Sequence, residues 1–138
     1  MILRIMFRKV VVVVNEYMKL AIQEAFLGVK QRAGGPFGAV IVKDNAVIAK
    51  GYNQVIAMQD PTAHAEILAI REASKQLGRF DLSDCVLYTT FSPCTICSRL
   101  IVESGIKEVH YLKEYRDPLS KQILKLGNVK IVKEKTQK

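Results

Sequence analysis

No apolar run of eighteen or more residues occurs anywhere in this chain, so no stretch has the length of a membrane-spanning helix. Cysteine is scarce. Three residues are too few for the disulfide framework of a small secreted domain, and two of them stand as Cys94-x-x-Cys97, a spacing that suits metal or redox chemistry. Acidic residues are also few: 13 Asp and Glu face 21 Lys and Arg, a formal net charge of +8. Such a balance attracts anions, nucleic acid among them. Nine of the basic residues fall between Lys107 and Lys138, where they equally describe a solvated face. No export signal is expected either. Residues 1–14 carry Arg4, Arg8 and Lys9 and then five valines, Val10 to Val14, but Asn15-Glu16 ends the apolar run early and no small-residue cleavage site follows. The expected location is the cytoplasm. Linkers, internal repeats and a second domain are likewise absent from the pattern.

What remains is an ordinary folded chain. Its 138 residues, 49% hydrophobic and 25% charged, suffice for one domain with one core. We read 15–138 as that domain and 1–14 as an N-terminal extension of unassigned role, either a further strand or a disordered extension, whose valine run is sticky if left exposed. Met18, Ala21, Ile22, Ala25, Phe26 and Val29 recur at helical spacing, which predicts a helix from Asn15 to Arg32. Ala39–Val42 and Ala46–Ala49 flank Lys43-Asp44-Asn45 and predict a hairpin. Asp60-Pro61-Thr62 offers a cap and a first-turn proline, so a second helix is expected from there to Gly78, with Ala63, Ile67, Ile70 and Leu77 as its apolar face. A buried strand follows over 85–90, a helix from Pro93 to Gly105, a strand over 106–112, a helix over 118–126 and a last strand over 129–132. Strands separated by helices pair in parallel. The sum is an α/β fold: a five-stranded mixed sheet with helices on both faces.

The chemistry lies in two short stretches, His64-Ala65-Glu66 and Pro93-Cys94-Thr95-Ile96-Cys97. An imidazole and two thiolates make the ligand set of a catalytic zinc site with a fourth position left for water. Cys94 and Cys97 open a helix, where the dipole favours thiolates. A redox role for the pair needs a different chain order around it. A purely structural zinc site needs a fourth ligand from Cys85 or His110, and both fall inside expected strands. Glu66 is either a first-turn acid that complements a helix dipole or the proton carrier of a hydrolase. His64 and Glu66 serve one site only if both sit in the first turn, because residues two apart on a regular helix point apart. Asn53, at the end of the second strand, is either a turn residue or a hydrogen-bonding partner for a base or sugar. Phe37 is either core packing or an aromatic wall for a planar base.

With H-x-E followed by P-C-x-x-C, the sequence resembles the cytidine/deoxycytidylate deaminase superfamily, over a region from about Tyr17 to Val132. The resemblance implies a three-layer α/β/α cytidine-deaminase-like sandwich, assembled as a dimer or larger homo-oligomer. It implies one Zn2+ per chain on His64, Cys94 and Cys97, proton transfer by Glu66, and substrate contacts from Asn53, Phe37 and Ala65. Its parts resemble different relatives. Residues 34–39 and 60–66 look like bacterial guanine deaminases, 87–94 like fungal-type cytosine deaminases, and 105–132, with Tyr111 and Tyr115, like deoxycytidylate deaminases. Guanine deaminases of this class also carry an aromatic C-terminal segment that helps close the site, which has no counterpart up to Lys138. Transfer-RNA adenosine deaminases usually have Glu where Ser92 stands. The expectation is a hydrolytic deaminase of a small nucleobase or nucleoside, guanine or cytosine/cytidine in that order. The alternatives are a tRNA adenosine deaminase, a deoxycytidylate deaminase, or an inactive zinc-stabilised partner subunit.

Overall fold

The computed structural model describes residues 2–7 and 10–135, with side chains from Asn15 onward. Its elements run β1 (Ile2–Phe7), β2 (Val10–Asn15), α1 (Glu16–Lys30), β3 (Gly38–Lys43), β4 (Ala46–Tyr52), α2 (Val55–Met58), α3 (Ala65–Leu77), β5 (Val86–Phe91), α4 (Thr95–Ser104), β6 (Glu108–Lys113), α5 (Pro118–Leu126) and β7 (Lys130–Lys133). Five strands form one sheet in the order β4-β3-β5-β6-β7. The β3–β4 hairpin turns on Asp44 and Asn45, both at positive φ (51° and 61°). That is the backbone of a two-residue I′ turn, which matches strand twist and which Asp and Asn tolerate. β3 is antiparallel to both its neighbours, whereas β5, β6 and β7 are mutually parallel because α4 and α5 carry the chain back between them.

Alternation along the strands sorts the two faces. Val40, Val42 and Tyr88 pack with Met18, Ala21 and Ile22 of α1. Ala39, Ile41, Leu87 and Val109 pack on the other face with Ala65, Ala69 and Ala73 of α3, Ile101 of α4 and Leu124 of α5. The result is the expected α/β/α sandwich. Small side chains let α3 lie close on the sheet. At Gly51 of β4 a Cβ would stand 2.4 Å from the Ala65 carbonyl oxygen and 2.9 Å from the Ala69 nitrogen. Gly51 therefore sets the depth at which α3 begins.

The expectations differ from the structure in particular places. Phe26 and Val29 are exposed (52% and 45%), because they lie at the edge of the stripe Met18-Ala21-Ile22-Ala25-Gly28 that α1 buries. Val10–Val14 belong to β2, which pairs antiparallel with β1 as a separate two-stranded sheet touching α1. Whether these valines are sticky concerns side chains that lie outside the described residues. Among the described residues no helix is long and apolar enough to cross a membrane.

Candidate active site

The second helix starts later than Asp60-Pro61-Thr62 suggests. Asp60 Oδ1 accepts from the Thr62 N–H (2.9 Å) and hydroxyl (2.7 Å), so these residues close a local turn instead of capping a helix. A one-turn helix, α2, precedes that turn; Ala33 O receives both the Ile56 and Ala57 N–H groups at 3.0 Å. The N-cap of α3 is His64 itself, in extended backbone (φ −73°, ψ 153°). Its carbonyl accepts the first helical bond from Leu68 N (3.0 Å). His64 is thus off the helix and Glu66 is on it, so the two escape the divergence of residues two apart on a regular helix. Cys94 repeats the arrangement as the extended N-cap of α4 (φ −75°, ψ 175°), with Cys97 in the first turn. It lies one position before the helix and not inside its first turn.

The two helix starts meet. His64 Nδ1 lies 3.3 Å from Cys97 Sγ and 3.7 Å from Cys94 Sγ, and all three ligand atoms fall within 4.8 Å of one another. Zinc–sulfur and zinc–nitrogen bonds in a tetrahedron separate S from N by about 3.6 Å. The donor set and its spacing therefore fit Zn2+. The Cys97 thiol donates to Cys94 and, with the N–H groups of Cys97 and Ile96 and the nearby His64, lowers the Cys94 thiol to about 5. Cys97 moves in the opposite direction, chiefly through that same hydrogen bond and then burial. One thiolate is thus already present before metal binding, and a cation would displace the second proton.

Beside this triad is a cavity of about 230 Å³, lined by His64, Cys94, Glu66, Ala65, Asn53 and Phe37. Cys97 is fully buried behind it. Glu66 is 8% exposed, and burial pushes its carboxyl up to about 7, against the pull of its own N–H. A group poised near neutrality is suited to both taking and giving a proton. Asn53 takes the turn role considered for it and also lines the cavity. Its Oδ1 accepts from Val55 N (3.1 Å) in a turn, while its Nδ2 donors have no partner among the described residues. Gly34 leaves the room: a Cβ there would stand 2.0 Å from Asn53 Oδ1. Phe37 likewise packs and lines, its ring meeting Phe91 edge-on with centroids 5.1 Å apart.

Thr89, Phe91, Ser92 and Tyr115 complete the lining and were not among the expected site residues. Alternation held the signal for two of them. Leu87, Thr89 and Phe91 share the β5 face that carries α3 and α4. Tyr115 comes from the loop after β6 and had no local signal. Cys85 and His110 stay outside the site. Cys85 is buried next to Asp84, and His110 lies between Glu108 and Glu134 with its ring stacked on Tyr88.

The comparisons agree with this geometry. The guanine deaminase of Bacillus subtilis (strain 168) is 50% identical over 101 residues, which cover 73% of this chain and 65% of that protein. The solved structure of guanine deaminase from Bacillus subtilis superposes with a TM-score of 0.70, over 72% of this chain and 65% of that one. The tRNA-specific adenosine deaminase of Aquifex aeolicus (strain VF5) is 43% identical over 93 residues, 67% of this chain and 61% of that protein. The chain thus spans just under two thirds of the length of these relatives. The family described as the cytidine and deoxycytidylate deaminase zinc-binding region matches residues 12–113, a stretch that holds His64, Glu66, Cys94 and Cys97. With three ligand atoms at zinc spacing and a buried glutamate beside them, the chain belongs to this family.

Proposed function

We propose that this chain is a zinc-dependent hydrolytic deaminase of a small nucleobase, with guanine first among the candidates and cytosine or cytidine next. The observation that carries the reading is the single cavity that gathers His64, Cys94, Glu66, Asn53 and Phe37. Its volume of about 230 Å³ falls below the ~300–1,000 Å³ of sites for drug-sized ligands and suits one base. The 50% identity to a guanine deaminase supports guanine. His64, Cys94 and Cys97 hold the zinc, which when bound supplies water activated at neutral pH. Glu66 accepts a proton from the attacking water at its carboxylate and delivers it to the ring nitrogen beside the reacting carbon; it then takes the proton of the newly added hydroxyl and gives it to the departing amine. Overall, one water and one ring C(NH2)=N unit become one C(=O)–NH unit and one ammonia. Asn53 Nδ2 donates to the base, Phe37 and Phe91 supply a flat apolar wall, and Ala65 leaves room at the helix start. The deaminase unit is 15–138, working in the cytoplasm as a homo-oligomer. Ile56, Met58, Ile96 and Leu119 present apolar side chains to solvent in the single chain, which supports assembly.

The test is ammonia release by zinc-loaded protein from guanine, cytosine, cytidine, deoxycytidylate and adenine. Guanine should be turned over fastest, and no release from any of the five sinks the reading. A second reading, tRNA adenosine deamination, rests on the +8 charge and the 43% identity to a tRNA-specific enzyme. It requires inosine formation in tRNA, with binding that weakens steeply as salt rises.

A further inference from the structure

The tetrapeptide Ser92-Pro93-Cys94-Thr95 is held at three points by the segment that enters α5. Ser92 Oγ donates to the Tyr115 carbonyl (3.0 Å) and accepts the Tyr115 N–H (2.6 Å). The Pro93 carbonyl accepts from Ser120 Oγ (2.5 Å). Thr95 donates both its N–H (2.8 Å) and its hydroxyl (2.7 Å) to Asp117 Oδ2. Ser120 has one hydroxyl proton, already given to Pro93, so the fully buried Ser98 is the donor in the Ser98–Ser120 contact. Cys94 sits in the middle of this frame and makes none of these bonds itself. Its place is set through its neighbours on either side.

Asp117 does more than its position requires. As the N-cap of α5 it needs one oxygen, and Oδ1 serves, accepting from Ser120 N at 3.2 Å. Oδ2 points away from α5 to the first residue of α4, where it gathers two donors. Bonds to an ionised acceptor are the stronger kind. Those bonds, the Thr95 hydroxyl first, hold the Asp117 carboxyl below its usual range, so it stays charged at neutral pH.

We propose that Asp117 is a positioning residue for the metal centre: through Thr95 it fixes the Cys94-bearing turn, and through its own loop it joins that turn to the Tyr115 wall of the cavity. The proposal rests on the zinc-dependent reading above, not on which base is the substrate. Partners that orient metal ligands typically change metal affinity 10–100-fold when removed.

Thr95→Pro is the cleanest test. Proline suits the first position of a helix, and Cys94 is already extended as a residue before proline must be. The change removes both donors to Asp117 Oδ2 and leaves the α5 cap intact. Zinc transfer from the loaded protein to a chelating dye should become about tenfold faster. The cobalt-substituted protein should shift its thiolate absorption bands, while the melting temperature of the metal-free protein stays close to that of the wild type. Asp117→Ala should release zinc at least as fast and also melt lower, through loss of the cap. Ile106→Val, a core change away from the frame, should melt lower yet release zinc at the wild-type rate. Zinc release from Thr95→Pro at the wild-type rate, with unshifted cobalt bands, overturns the proposal. A wild-type protein that takes up neither zinc nor cobalt overturns the zinc reading as well. Tight zinc without deamination of any tested base defeats only the substrate reading, and the release rates still decide the role of Asp117.

Discussion

Helices α1 and α5 begin differently from α3 and α4. Asn15 caps α1 by accepting from Tyr17 N at 2.7 Å, and Asp117 caps α5. The N-caps of α3 and α4 are His64 and Cys94, and neither side chain makes a capping bond. Ser, Thr, Asp and Asn are the residues that stability favours there. At the two starts that face the cavity those positions are given to metal-ligand chemistry. Stability and function therefore compete for the same backbone positions, and the outcome differs by helix. α4 recovers a bond at a distance, since Asp117 Oδ2 receives the Thr95 N–H. α3 has Glu66, whose carboxyl meets its own N–H.

The largest effect expected at the uncapped pair is chemical. Glu66→Gln keeps the shape and removes the proposed proton carrier, so kcat should fall by about 10²–10⁴ while zinc content stays equal to wild type. Steady-state rates on the best substrate, alongside metal analysis, measure this. An unaltered kcat would return Glu66 to a helix-dipole role.

Next in size is the contrast between cysteines. In zinc-free protein Cys94, at about 5, is a thiolate at neutral pH, and it loses that charge only as pH falls through about 5. Cys85 is raised to about 11, by burial and then by its hydrogen bond to Asp84, so it becomes a thiolate only as pH rises through that value. Iodoacetamide should modify Cys94 well before Cys85, at a rate nearly flat between about pH 6 and 8, and zinc should protect it. Mass spectrometry of the modified peptides reads the order. Equal modification of both cysteines would remove the case for a preformed thiolate.

At the capped pair the expected effect is on folding alone. Asn15→Ala should destabilise the protein by about 0.5–2 kcal/mol in denaturant unfolding. Zinc content and kcat should not change, because α1 packs on the sheet face opposite α3 and α4.

The same contrast explains what could be read from the chain alone. Asp117-Pro118 marks a helix start with capping chemistry, and α5 begins where that signal stands. Asp60-Pro61-Thr62 carries equivalent chemistry but spends it on a local turn, and α3 begins at a histidine no capping rule selects. His64, Glu66, Cys94 and Cys97 were found by their own chemistry and spacing. Of the cavity wall, Asn53, Phe37 and Ala65 were named as well, but Thr89, Phe91, Ser92 and Tyr115 were not. Tyr115 reaches it through Ser92, 23 residues away in sequence, and Thr95 meets Asp117 across 22 residues. Such pairings arise when β5 and β6 lie side by side, and short-range pattern does not contain them.

The smallest effect is the most direct test of competition at α3. His64→Asn places a good capping side chain where none bonds now, within reach of the free N–H groups of the first turn. The variant should lose zinc and activity, because one of three ligands is gone. Without zinc, however, it should be more stable than the wild type by about 0.5–1 kcal/mol. The comparison has to be made with chelator present on both sides, since zinc bound only to the native wild type would stabilise it by mass action and hide the gain. Denaturant midpoints at equal slope measure it. A metal-free variant less stable than the metal-free wild type would mean that the imidazole supports the α3 start by packing. The uncapped start would then be no concession to the metal.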